Sequence, residues 1–338
     1  MSSRFRGFLK TYRKALRFHY TPCSTLPAAL GSMIAVQASA FNIWYFILLM
    51  VSIIANHLAV NMTDDYFDFL HGADVHQDEN FNAYAGGSGV LTAKEMSPEF
   101  MKNSFVILYI LASCIGLYFV IMRGWVILAL GAIGVFSSYF YTAPPIRFSY
   151  RGWGELAILV NLGPIITIGA YYLQNSTISV EVIIAGFTLG FLVFAQILCN
   201  EIPDYETDKL AGKKTLVVLF GKEVGLYLAM IAKFICFVIV LAGILKGHAP
   251  IWSLLVFLVI PLLYRAFSSL RKTLHQKKIQ GNFEMVKAHV FVGILLILGY
   301  AIQAVQNGKN ILHISFVLLC LGIVMIPVFL KFYEPQSE

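Results

Sequence analysis

The chain has 338 residues, 58% of them hydrophobic, and its 25 Lys and Arg with 18 Asp and Glu make up only 13% charged side chains. A soluble globular chain carries roughly 25% charged residues, so there is too little charge to cover a water-facing surface, and the two soluble domains this length would otherwise allow are excluded. The net charge of +7 does not signal nucleic acid either, because the basic residues are spaced between apolar runs and form no single stripe.

In chain order, the opening stretch MSSRFRGFLKTYRKALRFHY is basic and lacks an apolar core. It therefore predicts an amphipathic helix on the membrane surface rather than a signal peptide. Apolar runs long enough to cross a bilayer, about 20 residues each, then recur at 24–42, 43–62, 104–122, 124–142, 155–173, 179–201, 224–245, 250–267, 286–304 and 311–331. Pro22, Pro27 and Gly31 interrupt the first of them. The pattern predicts an all-α polytopic membrane protein with about ten crossings.

With the N-terminus inside, 21 of the 25 basic residues fall on the inner side, Arg123, Lys246 and Lys309 fall outside, and Lys233 lies within a span. By the positive-inside rule this predicts that both chain ends are cytoplasmic. Cys23, Cys114, Cys199, Cys236 and Cys320 are scattered in or beside apolar runs without CxxC spacing, which predicts small core residues and no disulfide or metal role.

The acidic residues are clustered. Asp64, Asp65, Asp68, Asp74, Asp78 and Glu79 follow the second apolar run, and Glu201, Asp204, Glu206 and Asp208 follow the sixth. Both clusters are expected on the cytoplasmic face. Asn61, Asp65 and Asp68 are spaced i, i+4, i+7, and Asn200, Asp204 and Asp208 are spaced i, i+4, i+8, so each trio shares one helix face. Carboxylates stacked at a helix C-terminus, the negative end of its dipole, call for a compensating cation. Lys213 and Lys214 could supply part of it. A hard divalent ion such as Mg²⁺, which takes one or two carboxylates and completes its shell with substrate phosphates, could supply the rest.

Between the clusters, AYAGGSGVL carries Gly86, Gly87 and Gly89, which permit tight turns and close backbone approach to a ligand, and Lys94 follows as a phosphate partner. The next cytoplasmic loop, YFYTAPPIRFSYRGWGE, holds Tyr139, Tyr141, Tyr150, Arg147, Arg151 and Glu155. Arg147 and Arg151 suit either phosphate binding or positive-inside anchoring. His57, His71 and His76 lie near the first cluster at separations that match no regular helix face, which argues against a zinc site.

The segments NMTDDYFDFLHGAD with AGGSGVL, YTAPPIRFSYRGWGE and NEIPDYETDKLAGKKTLVVLFGK resemble those of the UbiA-type intramembrane aromatic prenyltransferases. The nearest likeness is to the 1,4-dihydroxy-2-naphthoate polyprenyltransferase branch, which makes menaquinone precursors. The resemblance runs from about residue 22 to 304. It implies a nine-helix UbiA-type transmembrane bundle at 21–304 behind a basic arm at 1–20, with 305–338 as an additional helix and tail. Asp64 stands where the family's first motif commonly has Asn, which leaves its role open.

The resemblance further implies transfer of a polyprenyl group, an alkyl or aryl group other than methyl, from an isoprenoid diphosphate to an aromatic acceptor such as 1,4-dihydroxy-2-naphthoate. Asp65, Asp68, Asp204 and Asp208 would hold Mg²⁺. Asn61, Asn200, Lys94, Arg147, Arg151, Lys213 and Lys214 would bind substrate, and Tyr139 or Tyr141 would face the allylic cation or anchor the interface. The implied location is the cell inner membrane, with the active site towards the cytoplasm and the lipid bilayer receiving the tail. A relative acting on another quinone precursor, haem or a chlorophyll-type acceptor stays open. So does an ion-coupled transporter, which would place the acids near the bilayer midplane.

Overall fold

The computed structural model describes residues 3–72, 87–276 and 279–333. Among them every regular element is helical: α1 (Ser3–Leu16), α2 (Pro22–Gln37), α3 (Ile43–Leu70), α4 (Pro98–Arg123), α5 (Trp125–Tyr139), α6 (Gly154–Asn175), α7 (Val180–Leu210), α8 (Leu216–Phe220), α9 (Lys222–Leu245), α10 (Ile251–Thr273), α11 (Asn282–Gln306) and α12 (Ile311–Tyr333). Each apolar run of the sequence falls on one of these helices. Eight of them, α3, α4, α6, α7, α9, α10, α11 and α12, are long and apolar enough to cross a membrane.

α2 and α5 differ from that pattern. They have 16 and 15 residues, about 24 and 22 Å at 1.5 Å per residue, short of the roughly 30 Å hydrocarbon core. α2 stops because Ser39 turns to a left-handed φ of 59° and Asn42 caps α3 by accepting from Tyr45 N. α5 stops at Tyr139, ahead of the loop that carries Pro144 and Pro145.

α2 is the centre of the bundle. It carries no charged residue and is buried from Ser24 to Val36, packed by α3, α6, α11 and α12. Small residues make the close approaches, as in helix pairs within lipid. A Cβ on Gly31 would lie 2.2 Å from the Thr167 carbonyl oxygen of α6, and one on Gly163 of α6 would lie 2.4 Å from Gly190 Cα of α7.

The connections divide between two ends. At one end short turns are cross-tied: Asn42 N donates to Gln174 Oε1 at 2.7 Å, Arg123 Nε to the Leu173 carbonyl at 2.7 Å, and Lys309 Nζ to Ser39 Oγ at 2.8 Å. Arg123 and Lys309, two of the three basic residues expected outside, therefore sit at this end. The described parts of the connections after α3, α5, α7 and α10 lie at the other end, with the C-terminal ends of α3 and α7. α1 packs on α3 there, and α12 returns to touch the turn at Phe18–Tyr20.

Candidate active site

α3 and α7 deliver the two acidic motifs, all but Asp65, to one cavity of about 230 Å³. Its walls include Asn61, Asp64 and Asp68 from α3, Asn200, Asp204 and Asp208 from α7, and Lys213 from the turn that follows α7. The acids are at helix ends and not at mid-span, against the placement an ion-coupled transporter would need. Lys213 joins the motifs directly, with Nζ 2.6 Å from Asp68 Oδ2 and 3.6 Å from Asp208 Oδ1. Burial alone would lower its pKa, but the carboxylates of Asp68, Asp208 and Asp64 outweigh that and hold it well above the ordinary lysine value.

The first motif is held from several sides. Asp65 is 2% exposed, accepts from the backbone N–H of Ser88 at 3.1 Å and meets Arg17 Nη1 at 3.2 Å. Gly89 has φ +69° beside Ser88, so the glycine-rich stretch brings backbone against Asp65 by adopting a conformation other residues avoid. Asp64 accepts from Arg17 Nη2 at 3.4 Å and from the Thr142 hydroxyl. Asp68 accepts from the Tyr150 hydroxyl at 2.8 Å. The Asn61 amide donates to the carbonyls of Leu16 and Arg17 at 3.0 and 3.4 Å, tying α3 to the end of α1.

Not every residue expected at the site lines this cavity. Tyr141 does, and its phenol pKa is raised by burial first and then by Glu201, Asp64 and Glu155. The Tyr139 ring instead packs edge-on against Phe67 and Tyr109 at 6.1 Å from each. Arg147 stacks 3.9 Å over the ring of Tyr150 and supports that phenol from behind. Arg151 donates to the Pro145 carbonyl at 2.8 Å on an exposed surface. Lys94 and Lys214 are exposed and outside the cavity lining. Gly86, His76, Asp74, Asp78 and Glu79 lie outside the described residues.

Other residues of the cavity and its wall have no site role assigned by their spacing in the sequence. By sequence Arg17 belongs to the basic surface arm, and no spacing links it to residues 64 and 65. Glu201 lines the cavity beside buried Glu155, whose carboxylate accepts from Leu216 N. His57 and Gln196 also line it, and there a signal existed, since each stands four residues before a motif Asn.

The donor set fits Mg²⁺. Asp64, Asp65, Asp68 and Asp208 contact only Arg17 and Lys213 among cationic side chains of the described residues, so the cluster retains surplus negative charge. Among the described residues no three His, Cys, Asp or Glu side chains converge to grip a metal unaided. Mg²⁺ takes one or two carboxylates and completes its shell with substrate phosphates and water.

A model of the UbiA prenyltransferase family matches residues 24–286. The chain belongs to the UbiA prenyltransferase family. It is 25% identical over 288 residues to 1,4-dihydroxy-2-naphthoate octaprenyltransferase of Bacillus subtilis, covering 85% of this chain and 91% of that protein. It is 26% identical over 284 residues to 2-carboxy-1,4-naphthoquinone phytyltransferase of Synechocystis sp., covering 82% and 88%. A UbiA homologue from Archaeoglobus fulgidus, bound to DMAPP and Mg²⁺, matches with a TM-score of 0.63 at 17% identity, covering 86% of this chain and 98% of that one, a likeness of fold. This UbiA-family chain is thus an integral membrane prenyltransferase.

Proposed function

We propose that this UbiA-family enzyme transfers a polyprenyl group from an isoprenoid diphosphate to 1,4-dihydroxy-2-naphthoate, with Mg²⁺, on the cytoplasmic side of the cell inner membrane. The observation that carries the reading is Lys213 tying Asp68 of one motif to Asp208 of the other across a single cavity. Asp65, Asp68, Asp204 and Asp208 are the residues that would hold the metal. When bound, it neutralises the diphosphate and makes it a better leaving group.

The chain's own groups do the rest. Lys213 and Arg17 offer cations to the diphosphate oxygens as charge develops on them. Tyr141 presents its ring to the cationic allylic carbon. The allylic C–O bond breaks with its electron pair leaving on the diphosphate, an electron-rich ring carbon supplies the pair for the new C–C bond, and that carbon then sheds its own substituent, a proton or the carboxyl group as CO₂, whose bonding pair restores the aromatic ring. A second, apolar groove of Ile133, Phe136, Phe148, Trp153, Leu156 and Val160 shares Ser137, Ala157 and Asn161 with the cavity, giving a prenyl tail a route between α5 and α6 to lipid. Residues 21–304 form the catalytic unit in this reading, and α12 is an addition to it.

The test is to incubate detergent-purified protein with Mg²⁺, a panel of prenyl diphosphates and a panel of aromatic acceptors, reading products by mass. Prenylated naphthoate is expected with Mg²⁺ and none in excess chelator. Full turnover in chelator would remove the metal from the reading, and exclusive use of another ring would replace the acceptor.

A further inference from the structure

The cavity continues below the aspartates. His57 precedes Asn61 by four residues on α3 and Gln196 precedes Asn200 by four on α7, so each motif helix carries one more polar side chain on the same face, about 6 Å deeper in the bundle. Asn161 of α6 lines the same space. It opens the π turn at Asn161–Ile165, where Pro164 has no N–H to give and Gly163 presses on α7.

These three side chains hold buried atoms without a partner among the described residues: His57 Nδ1, Asn161 Oδ1 and Gln196 Oε1. His57 is 6% exposed and Gln196 3%. The two amides cannot rotate to hide their oxygens. Asn161 Nδ2 donates to the Ala157 carbonyl at 2.7 Å and Gln196 Nε2 to Asn200 Oδ1 at 2.9 Å, so each oxygen is left over. Val60, Leu162, Val193 and Ile197 supply apolar wall around them. Unpaired polar atoms in such surroundings are costly, and an isoprenoid tail has no O–H or N–H to donate to them. A flat aromatic ring with hydroxyl groups does, and its faces suit the apolar wall.

We propose that this layer is the acceptor subsite, in which ring hydroxyls donate to Gln196 Oε1 and Asn161 Oδ1, with His57 Nδ1 as a third partner, below the diphosphate held by the aspartates. The subsite presupposes the aromatic-acceptor reading above and adds a selection rule: rings bearing two free hydroxyls fit, and rings with those hydroxyls methylated do not.

The full-length protein in detergent is assayed with Mg²⁺ and a prenyl diphosphate that supports turnover, titrating 1,4-dihydroxy-2-naphthoate or its monomethyl ethers. Gln196→Met is expected to raise the KM for the diol about tenfold or more, with the diphosphate KM held within about twofold. Gln196→Glu keeps the oxygen and should lose much less. One ether should bind poorly to wild type and lose its handicap on Gln196→Met, because removing both partners of a hydrogen bond is nearly neutral. Quenching of the naphthoate's own fluorescence without diphosphate reads the same comparison as binding, and Asn161→Leu repeats it from α6 if Gln196→Met does not fold. A rise in diphosphate KM alone would give this layer to the tail, and no change in either KM would give it to water; both overturn the subsite. Turnover that ignores Gln196 and Asn161 removes the subsite only. Neither binding nor turnover with any hydroxylated ring removes the acceptor reading and the subsite with it.

Discussion

At the end of α3 the aspartates are held by donors from across the chain: Arg17 from the first twenty residues, the Ser88 backbone, the Thr142 and Tyr150 hydroxyls, and Lys213. At the end of α7, Asp208 meets Lys213 at 3.6 Å, Asn200 accepts from Gln196 of its own helix, and Thr207 bonds the Asp204 backbone carbonyl. Two motifs with nearly the same spelling are thus held differently. The first is shaped by donors from distant parts of the chain. Asn200 and Asp208 of the second are held by α7 itself and by Lys213, which the first motif shares.

The largest effects should come from the carboxylates, and their side effects should differ. Asp65→Ala, Asp68→Ala, Asp204→Ala and Asp208→Ala are each expected to lower turnover by about two orders of magnitude or more, as for a lost group that stabilises transition-state charge. Asp65→Ala and Asp68→Ala should also lower Tm, because each strands buried donors. Asp208→Ala should lower Tm less, because Lys213 keeps its closer partner Asp68. Equal Tm losses at both motifs would erase the distinction, and near wild-type turnover in any one variant would remove that residue from the metal site.

Next comes the clamp from the N-terminal arm. Arg17 reaches Asp64 with one nitrogen and Asp65 with another, a two-point grip a lysine cannot reproduce. Arg17→Ala is expected to cost about 3 kcal/mol of stability, the range for breaking a buried pair, and to cut kcat/KM about tenfold or more; Arg17→Lys should recover part of each. A thermal melt and a rate measurement on the two variants check this. An unchanged Tm in Arg17→Ala would mean the first motif is not pre-shaped by the arm.

How far the sequence could lead follows the same division. The paired i, i+4 trios and the apolar runs are local patterns that helical geometry converts into shared faces, although Asp64 and not its neighbour Asp65 lines the cavity. Arg17 and Tyr150 were not readable as site residues because their contacts span 48 and 82 positions, and nothing in composition or spacing reports a tertiary distance. Lys94, Arg151 and Lys214 were drawn in by their charge, yet their loops leave them at the surface. Lys213 and Lys214 look interchangeable in the sequence; only the turn after α7 decides which one enters.

A smaller effect should separate Asp64 from its neighbours. Its Oδ1 accepts from Thr142, so Thr142→Val keeps the shape and removes one hydrogen bond, worth about 1.5–3 kcal/mol when the acceptor is charged. The expected result is a Tm lower by a few degrees with turnover reduced less than tenfold. A hundredfold loss of turnover would instead place Asp64 among the reacting groups and extend the first motif by one residue.

The smallest expected effect is a difference that does not change with pH, and it tests the link between the two motifs. Lys213 has its pKa raised well above the ordinary lysine value by Asp68, Asp208 and Asp64. A group whose folded pKa is raised contributes stability that is fully present below its unfolded pKa, about 10.4 for lysine, and that is lost only as pH climbs through the higher folded value. The Tm of wild type minus that of Lys213→Met should therefore be positive and the same at pH 7.5 and pH 9.5, since both lie below that window. Other groups titrate over this range, but they do so in both proteins and cancel in the difference. If the difference shrinks towards pH 9.5, Lys213 is losing its proton inside the folded site, and the two motifs would then be joined by a neutral amine rather than by a cation.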